Sequence, residues 1–297
     1  MGIKTQFSIK DLEHLSGIKA HTIRIWEKRY NLLSPERTDT NIRFYSLNNL
    51  MKLLNVTYLY NHGYKISRIA QLKNSEIENL IKESGLHDSA EVFAVSEFKS
   101  SMLHFDPQLF HNTFNRLEKQ YSFREIFFHV FIPLLNDIGL LWQTGTIDPS
   151  HERFISEHLK QKIIVEIEKA SSKPPSKSDN IFVLFLPLNE IHEIGLLYVN
   201  YELLSNGFKT IYLGNNIPTE NLSHLLNHHN HMIFISYLTV QPEKENLQSF
   251  IKDLNFTVSK NTDNKIWLFG SQIINNDLEI PSNIKLFNSL SQFINEL

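Results

Sequence analysis

The spacing of apolar residues changes three times along the chain. Near the start, Ile9, Leu12 and Leu15 recur at helical intervals, and Ser8-Ile9-Lys10-Asp11 has the spacing of a capping box with Asp in the place of Glu. Ser16-Gly17 then makes a turn, and a second helix is predicted from His21 to Arg29. The stretch 31–44 holds Pro35 and Asn41 and reads as a loop with short strands. Ser46 caps a third helix whose apolar face is Leu47, Leu50, Leu53, Leu54 and Leu59. Gly63 ends it, and a short helix follows over 66–72.

The second zone reads as helices over 89–104, 106–119, 122–143 and 149–171. Asp106-Pro107 and Asp148-Pro149 are helix starts, because proline is tolerated at the first helical position. Ser122-Phe123-Arg124-Glu125 is another capping box. Four helices of this length predict a small bundle. The polar, proline-bearing stretch 171–178 is a linker. Beyond it the period changes. Continuous apolar runs at 181–186, 210–213, 232–236 and 265–269, with a weaker one at 284–287, predict strands covered on both faces. They alternate with helical stretches at 191–206, 218–228, 242–254 and 289–296, as in a doubly wound parallel sheet.

Charge divides the chain the same way. Residues 1–75 carry twelve Lys or Arg against five Asp or Glu, a surplus of seven positive charges, and the remainder has a surplus of ten negative charges. A basic head on an acidic body points to a polyanion partner for the head alone. The absence of cysteine excludes disulfides, thiolate zinc sites and cysteine nucleophiles. No continuous apolar run approaches a membrane span, and the N-terminus lacks the apolar region of a signal peptide, so the cytoplasm is the simplest location and no membrane partner is expected.

A helix that reads base edges must present several donors on one exposed face. Thr22, Arg24, Trp26, Lys28, Arg29 and Tyr30 lie along or just past the second helix, and Arg24 and Lys28, four apart, face the same way. Ile23, Ile25 and Trp26 include the positions that pack inward. Arg37, Arg43 and Tyr45 follow on a loop suited to phosphate contacts, although Tyr45 can equally pack the loop itself.

The run His21-Thr22-Ile23-Arg24-Ile25-Trp26-Glu27-Lys28-Arg29-Tyr30, with Leu32-Leu33, Pro35, Arg37 and Arg43-Phe44-Tyr45-Ser46, resembles the MerR family of winged helix-turn-helix regulators. The Trp26 and Arg29-Tyr30 form is similar to the subgroup that couples this head to a cobalamin domain. The resemblance implies a recognition helix in the major groove, a wing on the backbone, and a dimer on a pseudo-palindromic stretch of double-stranded promoter DNA. The long dimerising helix of the family's activators is here interrupted by Gly85, which favours the repressor-like subgroup.

In the third zone, ligands of an open parallel sheet bind at the carboxyl ends of its strands, near the switch in strand order. If the order is 2-1-3-4-5, the loop after the first strand, 188–195, lies there. It holds His192 between Glu190 and Glu193, then Gly195. A neutral imidazole can ligate a metal while Glu190 or Glu193 holds the other ring nitrogen. One His is too few for a zinc cage but enough as axial ligand to a metal held by a macrocycle. On its own, His192 is as readily a polar loop residue capping the next helix. The cluster His224, His228, His229 and His231 lacks carboxylate partners at useful spacing and reads as a solvated helix end. Neither a dinucleotide glycine fingerprint nor a P-loop is present.

Glu190-Ile191-His192-Glu193-Ile194-Gly195 is similar to the Asp/Glu-x-His-x-x-Gly signature of cobalamin-binding domains, 206–218 to the stretch that follows it, and Ser236-Tyr237-Leu238 to its Ser-x-Leu step. The resemblance implies His192 as the lower cobalt ligand and a slot for the displaced dimethylbenzimidazole tail bordered by Ser236 and Gly270. Where the family usually has two glycines, this chain has Gly270-Ser271. In CarH/LitR-type light-sensing repressors the bundle caps the upper face with a Trp, nine residues, then Glu-His. Here Trp142 precedes Glu152-Arg153 at that spacing, and Gln143 stands where some light-responsive members have His. Trp142 can equally be a bundle core residue, and His151 is a candidate to compensate for the missing His.

The implied fold class is multidomain α and α/β: a winged helix-turn-helix over 1–84, a four-helix bundle over 88–171, and a Rossmann-like cobalamin-binding domain with a doubly wound parallel sheet over 179–297. The implied function is a non-enzymatic transcriptional repressor, dimeric or tetrameric, controlled by cobalamin, with adenosylcobalamin the expected form and a photoreceptor role open. The other readings are a regulator whose tail is a cofactor-independent dimerisation or partner-binding module, and a corrinoid methyl carrier, which the basic head disfavours.

Overall fold

The computed structural model describes residues 6–38, 40–84, 90–229, 231–259, 264–274 and 278–297. The chain divides into two compact units, Met1–His158 and Leu159–Leu297.

The first unit opens with β1 (Gln6–Phe7), α1 (Ile9–Ser16) and α2 (Ala20–Tyr30), followed by β2 (Glu36–Arg37) and β3 (Arg43–Ser46). The capping box at Ser8 forms as its spacing predicts: the Asp11 amide donates to Ser8 Oγ at 3.2 Å and the Ser8 amide to Asp11 Oδ2 at 2.7 Å. Gly17, at φ 73°, closes α1 in the left-handed conformation that lets the turn into α2 follow at once. β3 pairs antiparallel with both β2 and β1, so the loop 31–44 is a small wing held to the N-terminal strand. Sequence patterning missed β1, because two residues carry no readable period.

Next come α3 (Leu47–Asn61), capped by Ser46, then α4 (Ile66–Ile69), α5 (Asn74–Ser84), α6 (Ala90–His104) and α7 (Pro107–Glu118). The helix predicted over 66–72 is thus one turn, and α5 follows it. Gly85 and the residues to 89 lie outside the described residues. The single helix predicted over 122–143 is instead α8 (Phe123–Ile126), a π-helical turn Phe127–Phe131, and α9 (Ile132–Gln143). Pro133 explains the turn: it offers no amide to the carbonyl four residues earlier, and its ring pushes that carbonyl aside. By length and hydropathy, the 21 residues Phe123–Gln143 suffice to cross a membrane, contrary to the sequence-based expectation. Their apolar face, which includes Phe123, Phe127, Phe131, Leu134, Ile138 and Leu141, is buried. Phe131 meets Phe98 of α6 and Phe114 of α7 at ring separations of 6.0 and 6.1 Å, so that face is core of the unit.

α10 (Pro149–Ser171) runs through the division between the units. The second unit continues with β4 (Lys177–Phe185), α11 (Ile194–Ser205), β5 (Phe208–Gly214), a 3₁₀ segment Thr219–Asn227, β6 (Met232–Tyr237), α12 (Lys244–Val258), β7 (Lys265–Phe269), a 3₁₀ turn Ser271–Ile273, β8 (Ile284–Leu286) and α13 (Leu290–Ile294). The five strands pair parallel in the order β5-β4-β6-β7-β8, the doubly wound arrangement expected. The order reverses beside β4, which places the switch point at the loop after that strand. One core, containing Val183, Phe234, Leu238, Leu268 and Ile251, is sealed by α12. Two expectations change. The helix predicted from 191 begins at Ile194, and the one predicted over 218–228 is 3₁₀.

Candidate DNA interface and ligand centre

In the head, α2 buries Ile23 and Trp26 and exposes His21, Arg24, Ile25, Lys28 and Arg29; Thr22 and Tyr30 are half-buried. Arg24, Lys28 and Arg29 are thereby available to a nucleic acid, and Thr22 flanks them. Two expectations need correction. Ile25 faces solvent, because it lies two positions from Ile23 on a helix whose neighbours repeat at three and four. Trp26 packs inward, only 4% exposed and with its ring edge-on to Tyr60 at 5.0 Å, so it supports the reading face and is not one of the donors on it.

The wing residues divide likewise. Arg37 is exposed and donates to Asn41 Oδ1. Tyr45 is fully buried and donates its hydroxyl to Glu27 Oε2 at 2.9 Å, while Arg43 Nε meets Glu27 Oε1 at 3.1 Å. Burial, then the hydrogen bond to Glu27 and its negative charge, pushes the Tyr45 hydroxyl pKa well up. Tyr45 is therefore not a phosphate contact. Glu27, which sequence reasoning passed over, fastens the wing to the recognition helix through both residues.

In the second unit, the centre is built around a buried carboxylate. Glu190 lies on the loop after β4 and has no exposed surface. Its Oε1 accepts the His192 amide at 2.9 Å and the His192 ring Nδ1 at 2.6 Å. Its Oε2 accepts the amides of Thr239, Val240 and Gln241 at 3.1, 2.7 and 2.8 Å. One side chain thus ties the loop after β4 to the loop after β6. The His192 amide that it accepts lies ahead of α11, which starts at Ile194. Although burial opposes ionisation, the His192 ring and the amide donors prevail and hold the Glu190 carboxyl at about 2.

An ionised carboxylate only accepts hydrogen bonds, so Nδ1 carries a proton, and in the neutral ring the lone pair is then on Nε2. The His192 side chain is about half exposed (48%). The same loops expose Leu188, Ile191 and Val240 beside it. Glu193 does a different task from Glu190: it accepts Lys160 Nζ at 3.1 Å and Asn215 Nδ2 at 3.5 Å.

The remaining tail residues occupy distinct surroundings. Leu238 is fully buried in the sheet core and offers only backbone. Gly270, at φ 106°, packs on that backbone: a Cβ there would lie 2.2 Å from the Leu238 carbonyl oxygen. Gly270 therefore needs to be glycine for this close backbone packing at the end of β7. The Ser271 hydroxyl donates to the Thr239 carbonyl at 2.8 Å, a contact a second glycine would lack. Ser236 Oγ is buried without a hydrogen-bond partner. Against Gly195 lies the ring of Tyr237, a residue sequence reasoning did not single out.

Trp142 and Glu152 belong to the first unit. Trp142, the last residue but one of α9, is half exposed (48%), so it is not a core residue. Glu152 is half-buried and Arg153 is exposed. His151 does not replace the missing cap His. It is buried, stacks on Phe105 at 4.7 Å, and its Nδ1 accepts the Asp148 amide at 3.2 Å. Burial lowers its pKa.

The residues fit a cobalt corrinoid. A single imidazole with a carboxylate-fixed tautomer can supply one axial ligand. The exposed Leu188, Ile191 and Val240 suit an apolar macrocycle face. Among the described residues no cluster of three or more metal-binding side chains competes with this arrangement.

Residues 7–76 match the MerR HTH family regulatory proteins, and residues 95–165 match the B12 binding domain family. The chain thus carries a MerR-type helix-turn-helix and a B12-binding domain, the make-up of a DNA-binding transcriptional regulator controlled by cobalamin. It is similar to the HTH-type transcriptional repressor CarH of Myxococcus xanthus, at 27% identity over 73% of this chain and 73% of that one. It is also similar to the HTH-type transcriptional regulator MlrA of Escherichia coli (strain K12), at 25% identity over 43% of this chain and 50% of that one. Among solved structures, the monomethylamine corrinoid protein of Methanosarcina barkeri aligns with a TM-score of 0.48 at 12% identity, covering 62% of this chain and 87% of that one.

Proposed function

We propose that this chain is a cytoplasmic, one-component repressor whose affinity for promoter DNA is set by adenosylcobalamin held in its tail. The observation that carries the reading is the Glu190–His192 pair, in which a buried carboxylate holds Nδ1 of a half-exposed imidazole at the topological switch point of the sheet. The working parts are a head over 1–84, a bundle over 88–171 and a Rossmann-like tail over 179–297.

Bound there, the corrinoid would be held by the His192 imidazole and would supply a cobalt centre able to take a nitrogen ligand. Glu190 would orient the ring and stabilise positive charge that ligation draws onto it. Leu188, Ile191 and Val240 would cover the lower macrocycle face and exclude water. Trp142 and Glu152 are assigned to the upper face, and the departures at Gln143 and Arg153 lead us to assign the switch to cofactor binding in preference to light.

In the head, Arg24, Lys28 and Arg29 would read or clamp the major groove, with Thr22 beside them, while Arg37 and Arg43 would reach phosphates. A homodimer on a pseudo-palindromic operator follows from one recognition helix per chain. Cobalamin would act by changing the oligomer between dimer and tetramer.

The test is the visible spectrum of the purified chain with adenosylcobalamin in darkness. Replacement of the cofactor's own base by His192 shifts its spectrum, and His192→Ala abolishes the shift. A wild-type spectrum identical to that of free cofactor, unchanged in His192→Ala, contradicts the reading.

A further inference from the structure

Gly195 opens α11 three residues after His192, and its missing side chain makes room for something. Three ring carbons of Tyr237 fill that room. A methyl group at Gly195 would lie 2.8 Å from both Cε2 and Cζ and 3.0 Å from Cδ2. No carbon fits at those distances, so glycine is required for the ring to sit there.

Tyr237 is the last residue of β6. Its ring lies parallel to that of Phe269 at the end of β7, 6.0 Å away with the planes 4° apart. Phe269 in turn stacks on Phe287, 4.8 Å away at 6°. Three rings therefore form a layered stack, and its outermost member rests on the first turn of α11. A flat aromatic body inserted between a phenylalanine and a glycine three residues along the chain from His192 has the shape of a bound heterocyclic base.

Accepting the corrinoid reading above, on which this inference rests, we propose that Tyr237 occupies the slot for the corrinoid's nucleotide tail and so determines which lower tails the chain accepts. A corrinoid without the tail base would seat on His192 with Tyr237 in place. One with the base must displace the ring from Gly195 and Phe269, and that displacement weakens its binding.

The experiment titrates the full-length chain with aquocobalamin and with aquocobinamide, the same macrocycle without the nucleotide tail, following visible absorption. Wild type is compared with Tyr237→Ala, Tyr237→Phe and Tyr237→Trp. The ratio of the two affinities cancels effects common to the macrocycle. Tyr237→Ala is expected to improve cobalamin relative to cobinamide by at least tenfold. Tyr237→Phe keeps the wild-type ratio, because the ring and not the hydroxyl fills the slot. Tyr237→Trp moves the ratio the other way, which keeps the test alive if the Ala variant does not fold.

An equal change for both corrinoids in every variant overturns the role of Tyr237 while leaving the corrinoid reading intact. So does weaker cobalamin binding in Tyr237→Ala at unchanged cobinamide binding. Failure of both corrinoids to bind wild type and variants alike overturns the corrinoid reading, and this inference with it.

Discussion

Replacing Glu190 by Gln changes one atom and dismantles a five-donor site. The carboxylate accepts two bonds from His192 and three from the amides of residues 239–241. A Gln side chain has one accepting oxygen, so its NH₂ group must face donors on one of the two loops. The magnitude follows from the carboxyl being held at about 2 against an ordinary 4.5. That gap corresponds to roughly 3 kcal/mol of stability at neutral pH, or about a hundredfold in a local opening equilibrium. The folded-state value is the depressed one, so this contribution is complete above pH 4.5 and is lost as pH falls towards 2. The assay is amide hydrogen exchange, corrected for intrinsic rates, in a peptide covering 238–243. In Glu190→Gln at pH 7, protection of the 239–241 amides falls by about a hundredfold. In the wild type the same protection declines between pH 5 and 2, while in the variant it is flat over that interval. Equal protection at pH 7, or parallel pH curves, refutes the reasoning. The variant also weakens corrinoid ligation, by roughly 10- to 100-fold, since the imidazole loses its fixed tautomer.

Three further outcomes follow from the same geometry. Arg24→Ala lowers promoter affinity by about 1–3 kcal/mol if Arg24 reads a base, whereas Lys28→Ala acting on a phosphate reduces the salt slope by about one, both measured by fluorescence anisotropy across a salt series. Tyr45→Phe costs about 1 kcal/mol of thermal stability through the lost bond to Glu27 and leaves operator sequence preference unchanged, because the ring is buried. Gly270→Ala drives a Cβ into the Leu238 backbone at a positive φ and destabilises the tail by on the order of 3 kcal/mol, seen as an early unfolding step in a thermal melt.

Periodicity carries far where one rule governs a long segment. The strands and α3 were legible because apolar spacing alone decides them, whereas the strand order entered only as a condition and is set by tertiary pairing. The π turn at Phe127–Phe131 was not, because Pro133 acts against a strong helical pattern and its cost is taken up locally. α11 began late because the loop before it is pinned through Glu190 to the loop after β6, about fifty residues on, a tie that no window of spacing reports. The site shows the same limit. His192, Glu190 and Gly195 could be marked from the chain, but which of Glu190 and Glu193 holds the imidazole depends on Lys160 drawing Glu193 away. Trp26 and Tyr45 look like DNA contacts in sequence because aromatic residues serve both packing and recognition, and only burial separates the two uses. Tyr237 gave no signal at all, since its position against Gly195 is a tertiary contact.

The central claim is that the tail commands the head. It is tested most directly by anisotropy of a labelled DNA fragment from upstream of the chain's own gene, titrated with the full-length protein in darkness at fixed salt, with and without adenosylcobalamin. The account predicts at least a tenfold change in affinity on adding the cofactor, absent in His192→Ala. Unchanged affinity while the wild-type protein carries stoichiometric cobalamin would contradict it.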